Sequence, residues 1–486
     1  MRHDNLQEFI SFLDKKDEVQ RISTVVDCHL EISEITDRCV KSGGPALIFE
    51  NVRGFDTRVV TNIFGTHQRT AWALGVEDSS ELTEQVQTIL NMLKDPPTNM
   101  LGKLNALKDV AGIVKSRPKL VKTAPCQDII LTDSANLEEL PHLKCWPLDG
   151  GRYITLPLVI SQDPVTKRRN VGTYRMQIYD SKKAGMHWQT HKVGASHFRH
   201  GKDLNLDKME VAVVLGADPT TMWTGALPLP PELDELAISG LLRGRSVETV
   251  KCKTIDLEVP AQAEFVLEGF VIPNEVGIEG PFGDHTGYYS LEDEYPIFHL
   301  TAITHRKNPI YPATVVGRPP SEDYFMGKAI ERFMLPALQI VLPEIQDINM
   351  PAEGVFHNLE IVSVKKEYPR HTRKIMNAMW GLGLLMLAKT IIVVDDFVNV
   401  HNLSEVAWRV ASNIDPVHDV IFSDGPVDDL DHASRTPKIG SKMGIDATIK
   451  GKEDGRLREW PPDVLMDPTI KKMVDDRWHE YGFPSI

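Results

Sequence analysis

The 486-residue chain has only five cysteines: Cys28, Cys39, Cys126, Cys145 and Cys252. They are odd in number, widely scattered and without a CxxC pair, which argues against both a disulfide framework and a thiolate zinc site. Long apolar runs are missing too. The most apolar stretch, Met379–Val394, is interrupted by Lys389 and is too short to cross a bilayer comfortably. The opening residues, Met1-Arg2-His3-Asp4-Asn5, lead into no signal-peptide apolar core, so the cytoplasm is the expected location. Positive charge is scarce: 54 Lys and Arg stand against 68 Asp and Glu, a formal charge of −14. That balance argues against nucleic acid or anionic membrane as the main partner, while leaving room for a locally basic pocket. No internal repeat, heptad run or low-complexity tract is present.

What the chain does have is the composition of a folded globular protein, 42% hydrophobic and 25% charged. Its length exceeds what one core can organise, which predicts two or three domains. Strands are expected at Glu18–Val26, Ala46–Val52 and Arg58–Phe64, and helices at Leu30–Lys41 and Glu81–Lys94, the last ending at the breaker Asp95-Pro96-Pro97. The middle is strand-rich: Asn170–Tyr179, Glu210–Leu215, Val247–Thr254, Ala263–Ile272, Phe298–His305 and Tyr311–Val316 predict an antiparallel barrel or sandwich. One helix interrupts it, with Pro231 in its first turn, an apolar stripe of Leu233, Leu236, Ala237, Gly240 and Leu241, and Gly244 past its end. Alternation then returns. Helices are expected at Tyr324–Val341, at Arg373–Ala388, at Leu403–Ser412 behind an Asn402 N-cap, and at about Pro468–Tyr481, with strands at Leu359–Lys365 and Thr390–Val394.

Two polar clusters carry candidate chemistry. Glu279-Gly280-Pro281-Phe282-Gly283-Asp284-His285-Thr286-Gly287-Tyr288-Tyr289 places two carboxylates and a histidine on a tight loop between strands. Such a loop is either a solvated turn bonding its own backbone or a pair of carboxylates dividing acid and base roles. The second cluster runs Arg168-Arg169-Asn170-Val171-Gly172-Thr173-Tyr174-Arg175, then Met186-His187-Trp188-Gln189-Thr190-His191-Lys192. It is either a polar strand face with a hairpin or a phosphate cradle of arginines, hydroxyls and amides. His187 and His191 have the spacing of one helical face, but they follow a strand.

These segments, with Gly43–Asn51, Ala124–Gln127, Cys145–Pro147, Leu215–Pro219, Leu241–Gly244, Gly317–Pro320 and Gly440–Thr448, closely resemble the UbiD family of decarboxylases in order along nearly the whole chain. The resemblance implies an α/β (α+β) fold. An N-terminal α/β domain would span 1–120, a flavin-reductase-like split β-barrel 121–322, a C-terminal α/β dimerisation domain 323–465 and a terminal helix 466–486. It further implies reversible, non-oxidative decarboxylation of an aromatic or α,β-unsaturated carboxylic acid through an adduct with prenylated FMN, the cofactor being made by a separate flavin prenyltransferase. That fits the chemistry, since no side chain accepts the charge left on an sp² carbon when carbon dioxide departs.

Carried over residue by residue, Arg175, Glu279 and Asp284 are the expected catalytic network. Asp284 would be the proton donor, Arg175 the carboxylate binder, and Glu279 would tune the pair. Cofactor contacts are expected from Thr173, Tyr174, Arg175, His187, Trp188, Gln189, Lys192, Val193 and Lys442. Metal ligands are expected at Asn170, His191 and Glu248, two oxygen donors and an imidazole that suit manganese or another octahedral divalent ion; potassium is a further candidate ion. Asp rather than Glu at 284 points to a 4-hydroxybenzoate-like acid, polyprenylated in quinone biosynthesis, which would put the protein against a membrane. A homodimer or a larger oligomer such as a hexamer is expected. The competing readings are an FMN oxidoreductase on the same barrel and a non-catalytic subunit of a multi-component carboxylase. One geometric problem stands out: on a regular strand Asn170 and Arg175 face opposite sides, so a bulge at Gly172 or a cofactor wrapped over the strand end is required.

Overall fold

The computed structural model describes residues 2–94 and 116–483; the Asp95-Pro96-Pro97 breaker lies outside the described residues. Near the start, strands Val19–Ile22, Ala46–Phe49 and Arg58–Thr61 form a mixed sheet whose fourth strand, Ile310–Pro312, arrives from far along the chain. Helix Leu6–Asp14, not anticipated from the sequence, is capped by Asn5 and buries Leu6, Phe9, Ile10 and Leu13 at helical spacing. Those side chains join Ala46, Ile48 and Val60 but also Ala212 and Val214, so the N-terminal and central sheets share one core.

The strand-rich centre is an open, wholly antiparallel nine-stranded sheet. Its two longest strands, Phe265–Glu279 and Asp293–His305, extend the expected ones and form a hairpin whose tip is the Glu279–Tyr289 cluster. The expected strand Asn170–Tyr179 splits in two. Arg169–Gly172 is an edge strand paired with Leu158–Gln162, whereas Met176–Ile178 pairs near the opposite end of the sheet with Tyr153–Ile154 and Lys183–Met186. Three residues, Thr173–Arg175, therefore cross from one end of the sheet to the other. Four Cα steps reach at most about 14 Å, so the sheet must curl until its ends nearly meet. The result is a barrel with a seam, and the seam is lined by Thr173, Tyr174 and Arg175. This resolves the Asn170/Arg175 problem without a bulge: the strand simply ends at Gly172, where a Cβ would lie 2.3 Å from the Tyr174 ring.

The helix expected from Pro231 begins later. Asp234 is its N-cap, accepting from the Leu236 amide at 2.9 Å, and the helix runs Glu235–Arg243; Gly244 ends it at φ +68. Proline lacks the side-chain oxygen that fixes a helix start and Asp234 has one, so Pro231 lies outside.

In the C-terminal part, strands run in the order Ile345–Asn349, Leu359–Val364, Thr390–Asp395, Ile439–Asp446, Val420–Pro426. The helix expected over Arg373–Ala388 is two pieces: His371–Trp380, then a 3₁₀ turn Gly383–Leu387. The first piece ends at the cap residue Gly381, and Leu382 leaves helical backbone at φ −112 and ψ 105 before Gly383 opens the second. Its apolar face is not free for a partner, because Ile375, Met376, Met379 and Trp380 pack on their own sheet against Val362, Ile391 and Val393. Helix Leu403–Asn413 has the expected Asn402 cap, which accepts from Glu405. Beyond it, Leu457, Val464, Leu465 and Met466 stand exposed.

Candidate active site

Arg175 is the hub of the seam. Its Nε donates to Glu279 Oε1 at 2.8 Å, Nη2 donates to Glu279 Oε2 at 3.2 Å and to Ser290 Oγ at 3.0 Å, and Nη1 donates to Asp284 Oδ2. The guanidinium also lies over the Phe282 ring, 4.6 Å from its centroid. All three ionic groups are buried. Glu279 is the last residue of its strand, and Asp284 sits on the hairpin tip beyond it. That tip is tied down by Asp149, which accepts from the Gly283 amide at 2.8 Å, and by Tyr153, which donates to the Pro281 carbonyl at 3.0 Å. The loop is thus a braced arm and not a solvated turn.

The electrostatics follow from this packing. Burial would raise the Glu279 carboxyl, but the Arg175 charge and a 2.9 Å hydrogen bond with His187 Nδ1 outweigh it and hold it at about 2. Burial likewise opposes ionisation of Asp284, yet Arg175 and His285 keep it well below the usual carboxylate range. His187 is lowered by burial and by the neighbouring Arg175 charge.

Around this hub the buried atoms Thr173 Oγ1, His187 Nε2, Trp188 Nε1 and His191 Nε2 have no hydrogen-bond partner within the protein. Burying a polar group unpaired is costly, so four such groups on the run Thr173–His191 fit a polar ligand lying in the seam. The Tyr174 hydroxyl meets the Asn170 amide at 3.4 Å and accepts from the Gly194 amide at 3.3 Å. Val193 opens helix Val193–Asp203, Lys192 is its N-cap residue, and Gln189 donates to Asp428 Oδ1 at 3.3 Å. His187 and His191 do not share a helix, because that helix begins only after them.

Two candidates stand elsewhere. Glu248 is exposed at the start of strand Glu248–Lys251 on a separate three-stranded sheet. Lys442, on the C-terminal sheet, donates to the carbonyls of Met386 and Ala388. A carboxylate that sequence reasoning missed takes the position near Asn170: Glu235 accepts from the Val171 amide at 3.1 Å, filling the free edge of that strand, while Asp234 pairs with Arg169 at 2.6 Å. Burial pushes the Glu235 carboxyl up to about 7, and its charge acts in turn on the Tyr174 phenol. The available signal was the capping residue Asp234, which sets Glu235 in the first turn of a helix facing the edge strand.

Among the described residues, no helix is long and apolar enough to cross a membrane. Profiles of the 3-octaprenyl-4-hydroxybenzoate carboxy-lyase N-terminal, Rift-related and C-terminal domains match residues 10–89, 119–319 and 324–447. An uncharacterized protein of Archaeoglobus fulgidus is 48% identical over 481 residues, 99% of each chain. The vanillic acid decarboxylase of Sedimentibacter hydroxybenzoicus in closed form superposes with a TM-score of 0.87 at 26% identity, covering 100% of both chains. The UbiD-class enzyme HmfF from Pelotomaculum thermopropionicum in complex with FMN gives 0.79 at 27% identity, covering 96% of this chain and 98% of its own. An evolved dimeric form of that enzyme in complex with prFMN gives 0.77 at 26% identity, covering 97% and 98%.

Proposed function

The chain belongs to the UbiD family of carboxy-lyases, and from that premise we propose that it decarboxylates a 4-hydroxybenzoate-type aromatic acid in the barrel seam, using prenylated FMN. The carrying observation is the buried Arg175–Glu279–Asp284 network beside four orphaned polar atoms. Those donors fit a flavin phosphate and ring edge: Thr173, His187, Trp188, Gln189, Lys192 and Val193 would hold the cofactor. When bound, it supplies the electron sink that no side chain offers. Arg175 binds the substrate carboxylate and orients Glu279; Asp284 delivers the proton to the carbon that carbon dioxide leaves. An FMN oxidoreductase would have no use for that buried triad. The substrate class is supported by Asp at 284 and by the vanillic acid decarboxylase neighbour, vanillic acid being itself a 4-hydroxybenzoic acid. Protein co-expressed with a flavin prenyltransferase should release carbon dioxide from such an acid in a panel; a loaded protein inert toward every aromatic and conjugated acid would sink the reading.

A divalent ion accompanying the cofactor, manganese by its donor set, would be held by Asn170, His191 and Glu235 in place of Glu248. Glu235→Gln should therefore purify with most of its flavin and manganese missing while remaining folded, and Glu248→Ala should keep both. Absorbance at the flavin band and metal analysis decide it; the reverse pattern would restore Glu248.

A second copy of the chain is the proposed partner for the exposed Leu457, Val464, Leu465 and Met466. Size measurement by light scattering should return at least twice 54.6 kDa, and an active monomer would refute it.

A further inference from the structure

Asp284 has a supply problem. With Arg175 on one oxygen and His285 on the other it rests as a carboxylate, and a carboxylate has no proton to give. The source is adjacent. His285 Nδ1 lies 2.7 Å from Asp284 Oδ1, and the His285 amide donates to the same oxygen at 2.7 Å. On the far side of the ring, His285 Nε2 lies 2.9 Å from His357 Nε2. Two ring nitrogens face to face at that distance need one proton between them.

The neighbours decide which ring carries it. Burial lowers His357, and the adjacent His285 charge lowers it further, to about 4. Burial would lower His285 as well, but the charge and hydrogen bond of Asp284 prevail and raise it to about 9. Asp323, at the start of helix Glu322–Val341, and Asp428, from the C-terminal part, add negative charge to the pair, and Lys192 opposes it. The chain of protons therefore runs one way: His357 Nε2 accepts from His285 Nε2–H, and His285 Nδ1–H donates to Asp284. His357 is held there at visible cost, since Val355 and Phe356 before it sit at φ +55 and +43. Left-handed backbone is an outlier for a β-branched residue, and such outliers collect at functional sites.

We propose that His285 is the proton reservoir that reloads Asp284, and that His357 is the positioning residue that keeps His285 charged and turned inward. The inference rests on the reading of Asp284 as proton donor. A substrate carboxylate arriving on Arg175 takes a share of the guanidinium and brings negative charge, so Asp284 gains proton affinity. The His285 Nδ1–H bond breaks as an Asp284 O–H bond forms. That O–H then breaks as the new C–H bond takes up the electron pair left by carbon dioxide. Solvent later returns one proton to His285, so each turnover consumes one proton and releases one carbon dioxide.

The test has two arms. On cofactor-free protein, imidazole ¹⁵N resonances should show His285 doubly protonated at pH 7 and titrating near pH 9, with His357 neutral; Asp284→Asn should lower the His285 titration. On loaded enzyme, kcat should fall as pH rises through about 9, because the charged form exists only below that value. His285→Asn keeps a donor toward Asp284 but no transferable proton; it should lose about 10²–10³-fold in kcat and the alkaline limb, at unchanged flavin content. His357→Phe removes the acceptor of a charge-assisted bond and should move that limb down by about one pH unit, with KM little altered. The proposal is overturned if His285→Asn retains wild-type kcat and its alkaline limb, or if His285 is neutral at pH 7. If the wild type decarboxylates no acid, the functional reading fails on its own, and the resonances still decide the histidine pair.

Discussion

Asp284→Asn is expected to bind flavin and metal like the parent enzyme and yet turn over about 10²–10⁴-fold more slowly, the usual worth of a positioned acid. The substitution preserves shape, and its one oxygen can still accept from the His285 amide, while its NH2 group meets the Arg175 guanidinium without a bond. What it removes is the group that cycles between carboxylate and acid. Cofactor content should survive because the orphaned donors lie on Thr173–His191 and not on the hairpin tip. Exchange of the product's ring hydrogen with deuterated water reports the same group in reverse and should fall in parallel. Wild-type turnover and exchange in a fully loaded variant would transfer the acid role to Glu279, whose carboxyl has two contacts with Arg175 and one with His187.

Arg175→Met should hurt both folding and chemistry. The guanidinium is the shared counter-charge of Glu279 and Asp284, both buried, and breaking a buried ion pair from one side costs about 3–5 kcal/mol. Against a total stability of about 5–15 kcal/mol, that loss is large. The pH dependence has a definite sign. In the parent, Glu279 is held at about 2, so its stabilisation is present above the unfolded value near 4.5 and is lost as pH falls through 2. Without Arg175 the desolvation cost dominates and the folded carboxyls rise above their unfolded values. The variant should then gain stability relative to the parent as pH falls from about 7 to 5. Urea unfolding at those two pH values measures it, and adding Glu279→Gln should recover part of the loss. Decarboxylation should drop by about 10²–10³-fold or more, as when a positioned electrostatic partner is deleted. Equal urea midpoints for variant and parent at pH 7 would show the two carboxylates to be neutralised by something other than Arg175.

The sequence made most of the architecture legible where local signals and long-range packing agree. The strand-rich centre, the Gly244 terminus and the Asn402 cap are set by alternation or by one side chain's hydrogen bond. The hairpin tip with Glu279 and Asp284 stands out because Gly280, Pro281 and Gly283 between them exclude a helix there. What could not be read depended on partners distant in sequence. Glu235 matters because a helix start meets the edge strand 64 residues earlier. His357 matters because a loop of the C-terminal part touches the hairpin tip 72 residues before it. The one-piece helix across residues 373–388 stops at Gly381 and the extended backbone of Leu382, which apolar periodicity does not register.

The three-residue crossing at Thr173–Arg175 reverses the usual rule about connecting segments. Loops ordinarily accept insertions and deletions because nothing fixes the separation of their ends. Here the separation is fixed by the curl of the whole sheet, and Gly172 and Met176 belong to strands with different neighbours. One added residue would let Arg175 drift out of reach of Glu279, and one deleted residue would pull the sheet's two ends into collision. Tolerance to length change should therefore be near zero across 173–175, although the neighbouring turn at Asp163–Arg168, closed by the Asp163–Arg168 backbone bond of 2.8 Å, has room to grow. Natural variation in this protein's lineage is thus expected to alter the identity of residues along the seam far more readily than their number.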